Sequence, residues 1–340
     1  MKADINWSGL RFDYIKCDYR FISRFKDGKW DDGELSTDDY LKIHEGSTAL
    51  HYGQQCFEGM KAYTTKEGKI VVFRPDRNAA RMKNSCEQLL MEAYPEDKFI
   101  EAVKKVIKAN EKFVPPYGSG ATLYLRPFLI GVGPNVGVKP APEYIFSIFV
   151  TPVGPYFKGG MTPCHFAISE YDRAAPNGTG GVKVGGNYAA SLMAHKDAVD
   201  AGFADCIYLD PTTHKNIEEV GAANFFGITA DNKFVTPKSP SILPSITKYS
   251  LMHIAEHYMG MTVEERDVPV NALEEFTEAG ACGTAAVITP IGSITYNGKK
   301  HAFYGEGKGV GPKIKELYDT LTSIQNGDKE GPKGWVIEVN

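Results

Sequence analysis

One lysine in a glycine-rich segment is the clearest candidate for chemistry in this sequence. Lys183 is the one charged residue of Gly180-Gly-Val-Lys-Val-Gly-Gly-Asn-Tyr188. In an extended strand, Val182 and Val184 would share one face and Lys183 would project from the other. A lysine held in this way is useful chiefly when its pKa is lowered enough for the neutral amine to attack a carbonyl group.

The residues after the lysine predict a corner between a strand and a helix. Asn187 is a good N-cap, and Tyr188 to Asp200 has the pattern of a helix that Gly202 would end. A Schiff-base lysine that carries pyridoxal phosphate is one use for an amine at such a corner. A surface lysine is the alternative, because most lysines lie in solvent.

Three segments further along the chain could complete a site for pyridoxal phosphate. Ser241-Ile-Leu-Pro-Ser-Ile-Thr247 opens a predicted helix, and the free N–H groups of a helix start suit a phosphate. Glu219 could keep a pyridinium nitrogen protonated, and the backbone of Gly283-Thr-Ala-Ala286 could hold a carboxylate. Each segment has an ordinary alternative: a plain helix start, a solvated glutamate and a loop-to-strand junction.

The elements of the first half predict an α+β domain over residues 1–150. Turn residues at Lys26-Asp-Gly-Lys29 and Lys66-Glu-Gly-Lys69 indicate hairpins, and apolar residues at helical spacing indicate helices. The predicted helices and later strands are, in order, Asp76 to Ala93, Pro95 to Phe113, Ala121 to Arg126 and Tyr144 to Val150.

The second half predicts a larger, mixed α/β domain over residues 164–340. Prolines and glycines without periodicity over 151–163 indicate an interdomain loop. We expect the cofactor at the domain interface, where small-molecule sites are common. The predicted elements after the lysine corner are strand Cys206 to Leu209, hairpin Gly227 to Val235, helix Ile246 to Met259, strand Ala285 to Thr289 and helix Pro312 to Ile324.

Composition excludes several classes of protein. A net charge of -4 and a pI near 6.1 give no basic surface for nucleic acid. The start of the chain has no apolar leader, and the apolar runs are too short to cross a bilayer, so a cytoplasmic location is expected. Six cysteines are scattered singly, which argues against a zinc ribbon and a disulfide framework.

In their order along the chain, these segments resemble the fold-type IV pyridoxal phosphate aminotransferases, and most closely the branched-chain amino acid aminotransferases. The resemblance runs from about Leu10 to Trp335 and implies a two-domain, D-amino acid aminotransferase-like fold of α+β and α/β parts. The segments that carry it are His51-Tyr-Gly-Gln-Gln-Cys-Phe-Glu-Gly-Met-Lys-Ala-Tyr63, Phe73-Arg-Pro-Asp-Arg-Asn-Ala-Ala-Arg-Met82, Leu123-Tyr-Leu-Arg-Pro127, Val153-Gly-Pro-Tyr-Phe157, Val182-Lys-Val-Gly-Gly-Asn-Tyr188, Glu219-Val-Gly and Gly283-Thr-Ala285.

The resemblance implies a role for each matching residue towards the cofactor. Lys183 would be the catalytic residue and carry pyridoxal 5'-phosphate. Tyr188 would bond its ring hydroxyl, and Glu219 would pair with its ring nitrogen. The phosphate would be held by Arg81, Ile246 and Thr247.

The resemblance also implies a substrate site and partners. Thr284 and Ala285 would hold the α-carboxylate, and aromatic residues would line the side-chain pocket, namely Phe12, Tyr52, Phe57, Tyr124 and Tyr156. The implied partners are branched-chain amino acids, glutamate, 2-oxoglutarate, branched 2-oxo acids and a second copy of the chain as a homodimer. Strand alternation puts Arg126 beside Tyr124, where it could meet the second carboxylate of glutamate.

Two departures from the animal members of this family are visible. Ala286 and Thr289 stand where those members carry a Cys-x-x-Cys pair, so no thiol switch is expected there. Ala222 stands in place of their threonine, which puts in doubt a hydroxyl contact to substrate from that position.

Other functions find weaker support in the sequence. His253-Ile-Ala-Glu-His257 matches an inverted zinc-protease motif but lacks a third ligand. Gly131-Val-Gly-Pro-Asn-Val-Gly137 and Gly305-Glu-Gly-Lys-Gly-Val-Gly311 lack the context of a dinucleotide loop or a phosphate loop. A D-amino acid aminotransferase or an aminodeoxychorismate lyase is the alternative within the fold, and a non-enzymatic binding protein is the alternative outside it.

Overall fold

The computed structural model describes residues 2–154 and 161–339, which form two compact units. The first unit comprises residues 2–154, 182–185 and 323–339, and the second comprises residues 161–181 and 186–322. The sequence prediction assigned everything after residue 163 to one domain. Residues 182–185 belong to the first unit by their contacts, because Val182 and Val184 pack in its core. Residues 323–339 belong there because their strand joins its sheet.

The helices and strands of the described residues follow the chain in this order. The α-helices are α1 Thr48–Tyr52, α2 Pro75–Gln88, α3 Glu96–Ala109, α4 Gly185–Asp200, α5 Ile246–Met259 and α6 Pro312–Gln325. The strands are β1 Arg20–Lys26, β2 Lys29–Trp30, β3 Glu34–Ser36, β4 Gln55–Phe57, β5 Met60–Thr64, β6 Ile70–Phe73, β7 Thr122–Val132, β8 Glu143–Val153, β9 Cys164–Ile168, β10 Asp205–Leu209, β11 Ile217–Val220, β12 Ala223–Thr229, β13 Lys233–Pro237, β14 Thr262–Arg266, β15 Phe276–Gly283, β16 Val287–Tyr296, β17 Lys299–Ala302 and β18 Val336–Glu338.

The first unit is built on an antiparallel sheet whose main path is β18-β6-β5-β7-β8-β1-β2. The two predicted hairpins form as β1 with β2 and β5 with β6. α2 and α3 cover the sheet, and α3 buries Phe99, Val103, Val106 and Ile107, whose spacing places them on one helical face. The burial of these side chains, together with that of β7 and β8, makes the unit's main core.

The second unit contains a closed barrel of mixed strands. The order β11-β10-β9-β16-β15-β12 closes on itself because β12 also pairs with β11, and β13 and β14 extend the sheet from β12. The core of this unit includes Ile207, Phe225, Val235 and Ile294, all of which are fully buried. A closed barrel has no free edge strands, so residues on β11 and β12 hold a fixed register.

Several predicted boundaries are corrected by the structure. α4 begins at Gly185, so Asn187 lies in its first turn and is not the N-cap. The side chain of Asn187 instead forms a reciprocal pair of hydrogen bonds with Thr179. α2 ends at Gln88, before Leu90, which has a positive φ of 51°. The predicted strand from Ala285 starts later, at Val287.

α5 has the predicted bounds because both of its ends carry capping residues. The side chain of Ser245 accepts a hydrogen bond from the backbone N–H of Lys248, and Gly260 ends the helix in the left-handed conformation. In the described part of the chain, none of the helices combines the length and the apolar character that crossing a bilayer requires.

Candidate active site

The segment that carries Lys183 is fixed by backbone contacts in the first unit. Val184 forms an antiparallel bridge with Cys56, and the carbonyl of Lys183 accepts a hydrogen bond from the N–H of Phe57 at 3.1 Å. The N–H of Lys183 donates to the hydroxyl of Ser85 on α2. Val182 and Val184 are buried, as the alternation predicts. The lysine backbone is therefore held on both sides, which leaves the side chain as the part that can move.

The ring of Phe57 contacts the side chains of both Lys183 and Arg126. The Nζ atom of Lys183 lies 4.7 Å from the centroid of the Phe57 ring, and the guanidinium carbon of Arg126 lies 5.0 Å from it. An aromatic face attracts cations, so the ring favours both positions. The contact brings the predicted cofactor lysine and the predicted carboxylate-binding arginine to the same side chain.

Tyr124 joins this group from the middle of β7. Its hydroxyl accepts a hydrogen bond from Nη2 of Arg126 at 3.2 Å, as expected for residues that share one face of a strand. Phe12 packs edge-on against the Tyr124 ring at a centroid distance of 5.0 Å. The first unit thus brings together Phe12, Phe57, Tyr124, Arg126 and Lys183, which we call the lysine cluster.

Gly59 explains how the phenol of Tyr124 fits beside the chain. A Cβ atom at position 59 would overlap the hydroxyl oxygen of Tyr124. Glycine is therefore needed here for close approach and not for an unusual backbone angle.

Arg81 is fixed by a buried carboxylate that the sequence did not reveal. Its Nε and Nη2 atoms donate to the two oxygens of Glu58, each at 2.7 Å. Asn78 donates to the same carboxylate at 2.7 Å, and Glu58 is fully buried. Ser85 links this group to the lysine, because its hydroxyl donates to the carbonyl of Arg81 and accepts from the N–H of Lys183.

The remaining predicted pocket aromatics have different positions. Tyr52 ends α1, and its hydroxyl donates to the carbonyl of Val136. Tyr156 lies outside the described residues.

In the second unit, Glu219 lies on β11 in an almost fully buried position. One of its oxygens accepts a hydrogen bond from the N–H of Leu243 at 2.8 Å, and the other lies 3.0 Å from Nε of Arg173. The N–H of that nitrogen is not directed at the oxygen, so the contact is an ion pair without a good hydrogen bond. A buried carboxylate with a fixed orientation suits the predicted partner of a ring nitrogen.

The barrel places Glu219 close to the predicted carboxylate turn. Glu219 pairs in register with Asn224 on β12, and Asn224 pairs with Cys282 on β15. The turn Thr284-Ala285-Ala286 begins two residues after Cys282 and connects β15 to β16. Its backbone N–H groups are of the kind that can bind an anion.

Val287, directly after this turn, has an unusual backbone conformation. Its φ is 64°, in the left-handed region that β-branched residues rarely adopt. Such a conformation costs on the order of 1–3 kcal/mol and is common where a binding loop must hold one shape. The strain supports a functional role for the turn that ends at Val287.

The residues predicted to bind the phosphate and the ring hydroxyl of the cofactor lie at the starts of two helices of the second unit. Ile246 and Thr247 are the first residues of α5, where backbone N–H groups have no partner within the helix. Thr247 is buried, so its hydroxyl is not simply a surface group. Tyr188 lies in the first turn of α4, and its carbonyl accepts from the hydroxyl of Ser191.

Lys61 is a second lysine with unusual chemistry in the first unit. It pairs in register with Tyr124, so the two side chains share a face of the sheet. Burial lowers the pKa of Lys61 to about 8. An amine with this pKa is partly neutral near pH 8, so Lys61 is the rival of Lys183 as a nucleophile.

The cysteines and histidines give no comparable evidence of a catalytic role. Burial raises the pKa of Cys282 to about 12 and that of Cys206 to about 11, which keeps both as neutral thiols. The rings of His253 and His257 lie 4.2 Å apart on α5. Among residues 2–154 and 161–339, no group of three or more His, Cys, Asp or Glu side chains is arranged to hold a metal ion.

Three residues that contact predicted site residues were not predicted from the sequence: Glu58, Ser85 and Arg173. Glu58 lies between Phe57 and Gly59-Met60, and a carboxylate between apolar neighbours indicates a buried position that needs a partner such as Arg81. Ser85 and Arg173 carry no local signal, because their partners are distant in the sequence.

Comparison with known proteins gives a consistent result. The family model of the Amino-transferase class IV proteins matches residues 55–294. The Branched-chain-amino-acid aminotransferase of Haemophilus influenzae is 64% identical over 341 residues, covering 99% of both chains.

Solved structures agree at the level of the whole fold. The branched-chain amino acid aminotransferase of Escherichia coli aligns with a TM-score of 0.79 at 28% identity, covering 96% of this chain and 100% of that one. A second solved branched-chain amino acid aminotransferase, from T.th., is complexed with N-(5'-phosphopyridoxyl)-L-glutamate. It aligns with a TM-score of 0.79 at 26% identity and the same coverage. The family match and these relatives show that this chain, which carries the lysine cluster and the buried Glu219, belongs to the class IV aminotransferases. Within them it belongs to the branched-chain-amino-acid aminotransferase family.

Proposed function

We propose that this protein is a pyridoxal phosphate-dependent transaminase that moves an amino group between leucine, isoleucine or valine and 2-oxoglutarate. The observation that carries the proposal is the lysine cluster. In that cluster the amine of Lys183 and the guanidinium of Arg126 both contact the aromatic ring of Phe57. Bound pyridoxal phosphate would supply an electron sink for the bonds at the substrate α-carbon.

The donors present fit this cofactor. Lys183 provides the amine that would attach it, Glu219 the buried carboxylate for its ring nitrogen, and Tyr188 the phenol for its ring hydroxyl. For the phosphate, Arg81 provides a guanidinium that Glu58 holds in one orientation. The start of α5 at Ile246 and Thr247 provides N–H groups and a helix dipole of the right sign.

Lys183 is the proton carrier in this proposal. With pyridoxal phosphate bound, the neutral amine of Lys183 would take the proton from the substrate α-carbon and carry it for return within the same half-reaction. The fixed backbone on both sides of Lys183 limits the movement of the amine to its own side chain. Such restriction keeps the base within reach of the α-carbon.

The substrate is held through its two different ends. The turn at Thr284 and Ala285 binds the α-carboxylate, and the aromatic side chains of the lysine cluster bind a branched aliphatic chain. Arg126 binds the second carboxylate when glutamate occupies the site. The solved relative with a phosphopyridoxyl-glutamate adduct supports glutamate as the amino donor.

The proposal extends to the partners and setting expected from the sequence. The amino acceptors and products are 2-oxoglutarate and the branched 2-oxo acids. The proposal also includes a homodimer and a cytoplasmic location. Sedimentation of the purified protein tests whether it is a homodimer.

Borohydride reduction tests the cofactor attachment directly. We expect the reduced holoenzyme to carry the pyridoxyl group on Lys183, identified by digestion and mass spectrometry. Lys61 is the informative rival, because its pKa is lowered to about 8 by burial. An adduct on Lys61 or on Lys248 would overturn the assignment, and the absence of a visible absorbance band in the purified protein would favour a non-enzymatic role.

The histidine pair on α5 is expected to have no part in turnover. We expect full activity after exhaustive chelation and in the double variant His253→Ala, His257→Ala, since His257 is an exposed side chain that lies 3.5 Å from Glu256. Stoichiometric zinc whose removal abolishes turnover would contradict this.

A further inference from the structure

Arg173 is a buried arginine that no step of the proposed reaction uses. Its side chain is only 8% exposed, and it follows β9 in the second unit. Burying a guanidinium is costly unless its charge and its donors are matched. Its contacts should therefore show what this position requires.

The guanidinium contacts three separate segments of the second unit. Nη2 donates to the carbonyl of Gly180 at 3.0 Å and also to the carbonyl of Ser241. Nε lies 3.0 Å from Oε2 of Glu219. Each segment leads to a residue of the proposed cofactor site: Gly180 precedes Lys183 by three residues, and Ser241 precedes α5.

The two carbonyl-bearing segments approach each other more closely than side chains allow. A Cβ atom at Gly180 would overlap the carbonyl oxygen of Ser241, and one at Gly181 would lie 2.6 Å from that of Pro240. Two carbonyl oxygens that face one buried region need a hydrogen-bond donor between them. Arg173 supplies that donor, so the close approach and the arginine form one arrangement.

Arg173 also places a positive charge in contact with Glu219. The N–H of Leu243 and the amide of Asn224 donate to the same carboxylate, and both of these groups are neutral. Neighbouring Glu218 is buried too, but its carboxylate accepts from the hydroxyl of Ser241. Tyr208, which lies on β10, pairs in register with Glu219 of β11 and is fully buried.

We infer that Arg173 is a positioning residue that keeps Glu219 ionised and correctly oriented towards the cofactor ring nitrogen. This inference rests on the proposed function of Glu219. When a buried carboxylate and a ring nitrogen share one proton, low polarity favours the neutral pair with the proton on the carboxyl group. An adjacent guanidinium reverses this preference, because it stabilises the carboxylate. The proton then stays on the ring nitrogen, where the electron sink needs it.

The test follows the ring nitrogen itself and not only the rate. The enzyme is reconstituted with cofactor labelled with ¹⁵N at the ring nitrogen, and its NMR resonance reports whether that nitrogen is protonated. We expect a protonated signal in the wild type and in Arg173→Lys, and an unprotonated signal in Glu219→Gln and Arg173→Met. Alongside this, kcat for leucine should fall at least about tenfold in Arg173→Met. The KM for leucine should change less than about twofold, as expected for a residue that does not touch the substrate.

Two further variants protect the test from a simple loss of folding. Arg173→Gln keeps an N–H donor for the two carbonyls but carries no charge. It should therefore fold and give the unprotonated signal and the lower kcat, even if Arg173→Met does not fold. Arg266→Met is the matched control in the same unit, since Arg266 forms ion pairs with Glu264 and Glu275 at the surface. It should keep the protonated signal and the wild-type kcat.

The outcomes separate this inference from the proposed function. A protonated signal in both uncharged Arg173 variants, together with its loss in Glu219→Gln, would overturn the role of Arg173 alone. A protonated signal in Glu219→Gln would overturn the proposed cofactor contact of Glu219, and the inference with it.

Discussion

Replacing Lys183 with alanine is expected to lower the rate of each half-reaction by about 10³-fold, within the range that a positioned acid–base group contributes. The backbone around Lys183 is held by Cys56, Phe57 and Ser85, so removing the side chain should leave the fold intact. Single-turnover absorbance with leucine measures the rate, and the melting temperature of the protein without cofactor reports the fold. Added methylamine should restore part of the rate, because a small amine can occupy the space left by the side chain.

Two further variants serve as comparisons in this experiment. Lys183→Arg keeps a cation near Phe57 but cannot act as a neutral base at ordinary pH, so it should be about as slow as Lys183→Ala. Lys61→Met removes a second buried amine of the same unit and should retain most of the wild-type rate. If Lys61→Met were inactive and Lys183→Ala active, the base would be Lys61.

Replacing Arg126 with methionine is expected to affect one substrate much more than the other. Loss of a charge-assisted hydrogen bond costs about 1.5–3 kcal/mol, so the glutamate half-reaction should slow by roughly ten- to one-hundred-fold. The leucine half-reaction should change far less, because an aliphatic side chain offers no partner to a guanidinium. Single-turnover measurements of each half-reaction separate the two effects.

The position of Arg126 in the lysine cluster makes the control important. Its guanidinium contacts the rings of both Phe57 and Tyr124, so its removal could loosen the aromatic wall. Tyr124→Phe removes the hydroxyl that accepts from Arg126 but keeps the ring, and Arg77→Met replaces an exposed arginine of the same unit. Equal losses in both half-reactions of Arg126→Met would mean that the residue binds the α-carboxylate or supports the fold.

Local pattern predicted much of the fold because the relevant forces act over a few residues. α5 was predicted with its observed bounds, since a serine cap, a helical pattern and a terminal glycine all agree. The hairpin between β5 and β6 was predicted from its glycine turn. The prediction for α4 was wrong at its start, because the side chain of Asn187 bonds Thr179 in place of capping the helix.

The supporting residues of the site could not be read from local pattern. Glu58 follows β4 and Arg81 lies on α2, so the bidentate pair between them exists only after β4 and α2 have packed. Arg173 depends on carbonyl groups of two loops, which no side-chain pattern encodes. Residue type and spacing indicate the residues that could do chemistry, whereas the residues that orient them depend on tertiary structure.

The pairing of β18 with β6 has a consequence for how the chain folds during synthesis. Val336 pairs with Phe73, and the carbonyl of Trp335 accepts from the N–H of Arg74. The ribosome must complete the whole second unit before these partners exist. Until then the first unit has an open edge strand at β6. The nascent first half is therefore exposed to wrong strand pairing until β18 has been synthesised.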